Sequence, residues 1–131
     1  MRSQLMRSIA LIIATLVALG SWHAAAGPSA SSTAAVNVSD FQFSPATLTI
    51  AAGDTVTWTL VGGFHSVVAD DGSFNSGEPG TGFPFSHTFA APGTYRYYCA
   101  VHGGPNGIGM SGVITVTSPQ PPVYVPLLMK Q

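Results

Sequence analysis

Asp54-Thr55-Val56-Thr57-Trp58-Thr59-Leu60 is the stretch whose reading decides the fold. Val56, Trp58 and Leu60 fall on one face and Thr55, Thr57 and Thr59 on the other, the period-two pattern of a strand with one buried side. Leu48 and Ile50 carry the same pattern upstream, across a turn at Ala52-Gly53-Asp54. Short runs of the same kind predict strands at Val36–Val38, Phe64–Ala69, Phe85–Phe89, Thr94–Cys99 and Gly112–Thr117. Asp70–Pro84, rich in Gly, Pro, Asn and Ser, reads as a long loop with room for one short strand. No ten-residue segment carries a convincing 3.6-residue period. Seven or eight short strands predict an all-β protein, an antiparallel β-sandwich with Greek-key connections.

Composition narrows the function. The chain has 131 residues, 46% hydrophobic and 7% charged, a length that fits one domain. Four basic side chains (Arg2, Arg7, Arg96, Lys130) meet five acidic ones (Asp40, Asp54, Asp70, Asp71, Glu78), so no basic stripe exists and nucleic acid is not an expected partner. A single cysteine excludes a disulfide framework and any four-cysteine metal site.

The two ends read differently from the middle. Arg2 and Arg7 precede an apolar run from Ile9 to Leu19, and Ala24-Ala25-Ala26 supplies small residues before Gly27. This is the pattern of a signal peptide over residues 1–26. The run is shorter than the roughly 20 residues a membrane-spanning helix needs, although an uncleaved anchor is the alternative. Cleavage removes two of the four basic residues and no acidic one, taking the formal charge from −1 to −3. Residues 27–35 read as a flexible linker and 36–117 as the folded domain. Residues 118–131 read as a Pro-rich spacer and a short apolar tail, an attachment element or simply a terminus packed on the domain. The expected location is outside the cytoplasm: periplasmic, extracellular or at a membrane surface.

Cys99 is the residue that most needs a reason. A lone cysteine in an exported chain is a buried bystander, a free thiol, an intermolecular bridge or a metal ligand. Tyr95, Tyr97 and Cys99 share one parity, so the thiol is expected to point inward at a strand end. His102 follows three residues later and Met110 precedes the last strand. A thiolate, an imidazole and a thioether are a copper donor set, and one more imidazole completes trigonal coordination with a weak axial sulfur. His65, at the start of a predicted strand, suits that role. His87 lies mid-strand between Phe85 and Phe89 and reads as a packed or partly exposed side chain, and His23 precedes the cleavage point.

Four segments in order carry a family resemblance. They are Gly-Asp-Thr-Val-Thr-Trp at 53–58, Phe-His-Ser-Val-Val at 64–68, Pro-Gly-Thr-Tyr-Arg-Tyr-Tyr-Cys-Ala-Val-His at 92–102 and Gly-Met-Ser-Gly-Val-Ile-Thr-Val at 109–116. Together they resemble the blue copper proteins, the cupredoxins of plastocyanin and pseudoazurin type, over residues 36–117. The resemblance implies a cupredoxin-like sandwich holding one type 1 copper on His65, Cys99, His102 and Met110. It also implies single-electron transfer between a redox donor and acceptor. Three departures stand out. Seven residues separate His102 from Met110, more than in plastocyanin. Ser66 stands where many members carry Asn, with a hydroxyl suited to tying the two ligand segments together. The dense acidic patch of plant plastocyanins is missing.

A donor set held by strand ends limits rearrangement between the copper oxidation states, which suits electron transfer rather than catalysis. An enzyme is not expected, since a second copper centre would need more histidines than His87 supplies. A copper carrier or storage protein with the same ligands is one alternative, and a metal-free interaction sandwich is another. A Cys–His–Asp nucleophile using Asp70 or Asp71 has no motif behind it. The segments flanking the ligands, Gly62–Phe64 and Val101–Ile108, carry no charge apart from the histidine. A monomer that meets its partners briefly through an apolar surface near His102 is therefore expected, with Asp70, Asp71 and Glu78 limited to steering.

Overall fold

The computed structural model describes residues 30–119, and every regular element among them is a strand. The strands are β1 (Thr33–Ser39), β2 (Gln42–Ser44), β3 (Thr47–Ala51), β4 (Thr55–Leu60), β5 (Val68–Ala69), β6 (Phe85–Thr88), β7 (Gly93–Gly104) and β8 (Ile108–Thr117). The segment read as a signal peptide and most of the C-terminal spacer and tail lie outside the described residues. Among the described residues no helix is long and apolar enough to cross a membrane.

Two four-stranded sheets face each other, ordered β2-β1-β4-β6 and β3-β8-β7-β5. The sandwich is as expected, but its sheets are mixed rather than antiparallel. β1 runs parallel to β4 from Thr33↔Thr55 to Val38↔Leu60, and β3 runs parallel to β8 from Thr47↔Val113 to Ala51↔Thr117. Residue alternation is the same in both directions, so the sequence pattern does not encode this. The direction comes from the chain leaving one sheet after β2 and returning after β3, which brings β4 beside β1 in the same sense.

That return is fixed by Asp54. Its carboxylate accepts from the backbone N–H of Ser32, next to β1, at 2.7 Å and from that of Ala51, in β3, at 2.9 Å. These two bonds hold the Asp54 carboxyl below the usual carboxylate range. Its contribution to stability is therefore present at neutral pH and is lost as pH falls through that depressed value.

The core is made by the inward residues of the alternating strands. Val56 and Trp58 of β4, Val36 and Val38 of β1, Tyr97 of β7 and Ile114 of β8 are all fully buried. The Trp58 ring lies 5.6 Å from Phe74, 5.5 Å from Phe85 and 5.4 Å from Tyr97. Burial pushes the Tyr97 phenol up to about 12, offset in part by the Trp58 indole N–H. The two polar atoms nevertheless make no hydrogen bond of regular geometry. Tyr97 also lies across Gly112, where a β-carbon would overlap its ring.

Four local expectations change. β1 begins at Thr33, so the last three residues of the stretch read as linker belong to a strand. β2 is additional, its Phe43 packed on Tyr97 with ring centroids 4.7 Å apart. The strand expected over Phe64–Ala69 shrinks to Val68–Ala69 because the preceding backbone bonds elsewhere: His65 O accepts from Gly80 N and Val67 O from Ser76 N. Finally, β7 and β8 extend past the predicted limits, so His102 and Met110 lie within strands.

Candidate metal centre

All four proposed ligands belong to segments at one end of the sandwich. β4 ends at Leu60 and the chain turns through Gly62-Gly63 to His65, which is 1% exposed. Gly63 has a φ of +83°, and a β-carbon there would overlap His65 Nε2, so glycine is needed for the imidazole to lie back over the turn. Next to it Ser66 is fully buried, and its hydroxyl accepts from Ala100 N at 3.0 Å. This bond ties the His65 segment to β7 between Cys99 and His102, the role expected for that hydroxyl. Cys99 is fully buried at the inward parity of β7.

Beyond Tyr98↔Ser111 the β7–β8 pairing slips and resumes at Gly103↔Gly109 and Gly104↔Ile108. The residues of the slip are Cys99 to His102 on one strand and Met110 on the other. The two glycines allow the strands to approach there. A β-carbon on Gly103 would overlap Met110 O and sit 2.8 Å from Ile108 O, and one on Gly109 would overlap His102 O. Met110 itself is 3% exposed and belongs to the core.

The result is a compact donor cluster. Cys99 Sγ lies 3.7 Å from His65 Nδ1 and 3.7 Å from His102 Nδ1, and the two nitrogens are 3.1 Å apart. Metal bonds of about 2.0 Å to nitrogen and 2.3 Å to sulfur, at angles near 120°, separate the two donors by about 3.7 Å. The donors fit one ion. Thiolate with two imidazoles selects copper among soft-to-borderline metals, and a thioether suits its axial position. Burial, with the nearby His102 ring, pushes the His65 imidazole below its ordinary range while Asp40 opposes that shift. The shift favours the neutral form a ligand needs. His87 is not in the cluster. Its ring lies tilted 4.8 Å from Phe74 and edge-on 4.7 Å from Phe89, as a packed side chain would.

Phe41 was not singled out from sequence. It occupies the two-residue turn between β1 and β2 with a φ of +59°, an unusual place for a bulky residue. Its ring lies edge-on to both imidazoles, 4.9 Å from His102 and 6.5 Å from His65. The signal available was an aromatic in a turn, where Asn or Gly is usual. Phe41, Val61, Phe64, Val101 and Ile108 are the exposed large hydrophobic residues among those described; Phe41 packs on His102, and Phe64 and Val101 directly precede His65 and His102.

Comparison with known proteins agrees with this geometry. Residues 30–117 match the family described as copper binding proteins of the plastocyanin/azurin family. Plastocyanin of Scenedesmus fuscus is 38% identical over 86 residues, covering 56% of this chain and 85% of that protein. The chloroplastic plastocyanin of Physcomitrium patens is 38% identical over 87 residues, 57% of this chain, and the chain spans only about half (50%) of that relative's length. Among solved structures, oxidised plastocyanin from Dryopteris crassirhizoma superposes with a TM-score of 0.53 at 30% identity, covering 64% of this chain and 100% of that one. A purple cupredoxin from Nitrosopumilus maritimus gives 0.55 at 31% identity, covering 64% and 99%. With its sandwich fold and its thiolate–imidazole cluster, the chain belongs to the plastocyanin/azurin family of copper-binding proteins.

Proposed function

We propose that this protein is an exported mononuclear blue copper protein that shuttles single electrons between redox partners. His65, Cys99 and His102 are the equatorial ligands and Met110 the weak axial one. The observation that carries this reading is the convergence of Cys99 Sγ and the two Nδ1 atoms at the buried end of the sandwich. Bound copper supplies a one-electron couple. The chain holds the donors on β7, β8 and a segment tied to them by Ser66, so that they move little as the charge changes. Buried Cys99 and His65 keep water from the metal, while His102, half-buried, is the ligand through which an electron leaves by the shortest path. Export is supported by the pattern at residues 1–26.

Docking follows from what surrounds His102. Phe41, Val101 and Ile108 offer apolar contacts and no charge. Small redox interfaces are commonly below about 1,200 Å². Of the acids, Asp71 Oδ1 accepts from Ser73 N within its own turn and Asp70 is bonded to Asn106 N, which leaves Asp40, beside Phe41 and near His65, as an exposed charge at this end. Ile108→Glu is expected to slow electron transfer to a redox partner about tenfold, equivalent to about 1.4 kcal/mol. Asp71→Asn combined with Glu78→Gln should change it less than twofold, roughly, with only a mild dependence on salt. Stopped-flow rates across an ionic-strength series check this. A steep fall with salt, abolished by the acid replacements and untouched by Ile108→Glu, would mean that charge steers the encounter.

A further inference from the structure

The long interval between His102 and Met110 has a built restraint at its far end. Two ligands joined by a longer loop are entropically looser, and a looser donor set rearranges more when the metal's charge changes. Here the intervening residues form the last two pairs of the β7–β8 ladder and a turn at Pro105-Asn106-Gly107. Asn106 sits at a φ of +65°, and its N–H donates to Asp70 Oδ2 at 2.7 Å. The other carboxylate oxygen, Oδ1, is buried without a partner. Holding a carboxylate oxygen away from water without a partner is unfavourable, so Oδ1 is not there as a solvated surface group. Asp70 is itself fixed, because its backbone N–H donates to Arg96 O in the body of β7. The tip of the ligand hairpin is thus tied back, through one side chain, to the strand from which it emerges.

We propose that Asp70 is a positioning residue for the copper site: its carboxylate clamps the Asn106 tip and thereby restrains His102 and Met110. It acts as a hydrogen-bond acceptor rather than as a charge for partner recognition. The inference deepens the copper reading and rests on it for the effect on the metal, whereas the clamp itself can be tested in metal-free protein.

The acceptor role and the charge role separate in two variants. Asp70→Asn removes the charge and keeps a carbonyl oxygen able to accept from Asn106, whereas Asp70→Ala removes both. In metal-free protein, amide hydrogen exchange at Asn106 should accelerate roughly tenfold or more in Asp70→Ala and stay within about twofold of wild type in Asp70→Asn. In copper-loaded protein, Asp70→Ala should release copper to a chelator roughly tenfold faster and shift the visible band, with Asp70→Asn again near wild type. Asp71→Asn serves as the charge control and should change neither. Near-UV circular dichroism identifies any variant that fails to fold, in which case Asn106 exchange in wild type and Asp70→Asn alone decides. Protection of Asn106 in both supports the clamp, and its absence in wild type overturns it. Equal damage from Asp70→Asn and Asp70→Ala, or no change in either, also overturns the proposal. Altered exchange in a protein that never takes up copper would instead leave the clamp standing and count against the copper reading.

Discussion

Replacing Cys99 with serine is expected to abolish the intense visible absorption of the copper-loaded protein. That absorption comes from charge transfer between a thiolate sulfur and copper, and Cys99 is the only sulfur of its kind in the chain. Serine preserves the size of the side chain at a fully buried position, so the fold should survive. His65 and His102, with Nδ1 atoms 3.1 Å apart, could still hold copper weakly. Loss of an equatorial ligand should reduce affinity by more than the roughly 10–100-fold typical of losing an outer-shell partner. Absorption spectra during a copper titration of both proteins check this. A Cys99→Ser variant that kept full colour would require another chromophore.

Trp58→Ala is the substitution expected to cost the fold most. Trp58 is fully buried at the centre of β4 and packs on Phe74, Phe85 and Tyr97 from both sheets and the long loop. Removing so large a buried ring typically costs about 3–5 kcal/mol, through lost burial and the cavity left behind. Domain stabilities lie at about 5–15 kcal/mol, so the loss is a large share of the whole. Urea unfolding of metal-free protein measures it, and a loss below about 1 kcal/mol would show that the sandwich core is not centred on this residue.

How much of this was legible beforehand depended on what each residue's signal encodes. The alternation in Asp54–Leu60 identified a buried face that the structure confirms at Val56 and Trp58. The inward parity of Tyr97 and Cys99 was equally direct. Strand direction was not readable, because side chains alternate alike in parallel and antiparallel pairs. The parallel β1–β4 and β3–β8 pairs follow from where the chain changes sheets. The β-prone Ser66-Val67-Val68 predicts a strand beginning at His65. The His65 carbonyl instead accepts from Gly80 N, and that of Val67 from Ser76 N, both in the long loop, a tertiary preference that local composition does not carry. Phe41 and Asp70 were missed as parts of the site for a related reason. Their partners, His102 and Asn106, are far away in sequence and meet them only after both sheets have formed. Glycines 103 and 109 fall outside the predicted strands Thr94–Cys99 and Gly112–Thr117, yet they permit the close approach of two strands between His102 and Met110.

Protein-film voltammetry of the copper-loaded chain, wild type beside Met110→Leu, tests the central claim most directly. The account predicts a single reversible one-electron wave for the wild type. In Met110→Leu the wave should persist and move to higher potential by at least about 59 mV, a tenfold change in a one-electron equilibrium. The direction follows because loss of the axial thioether stabilises copper(II) less. An absent or irreversible wave in copper-loaded wild type, or an unmoved potential in Met110→Leu, would contradict a Cys–His–His–Met electron-transfer site.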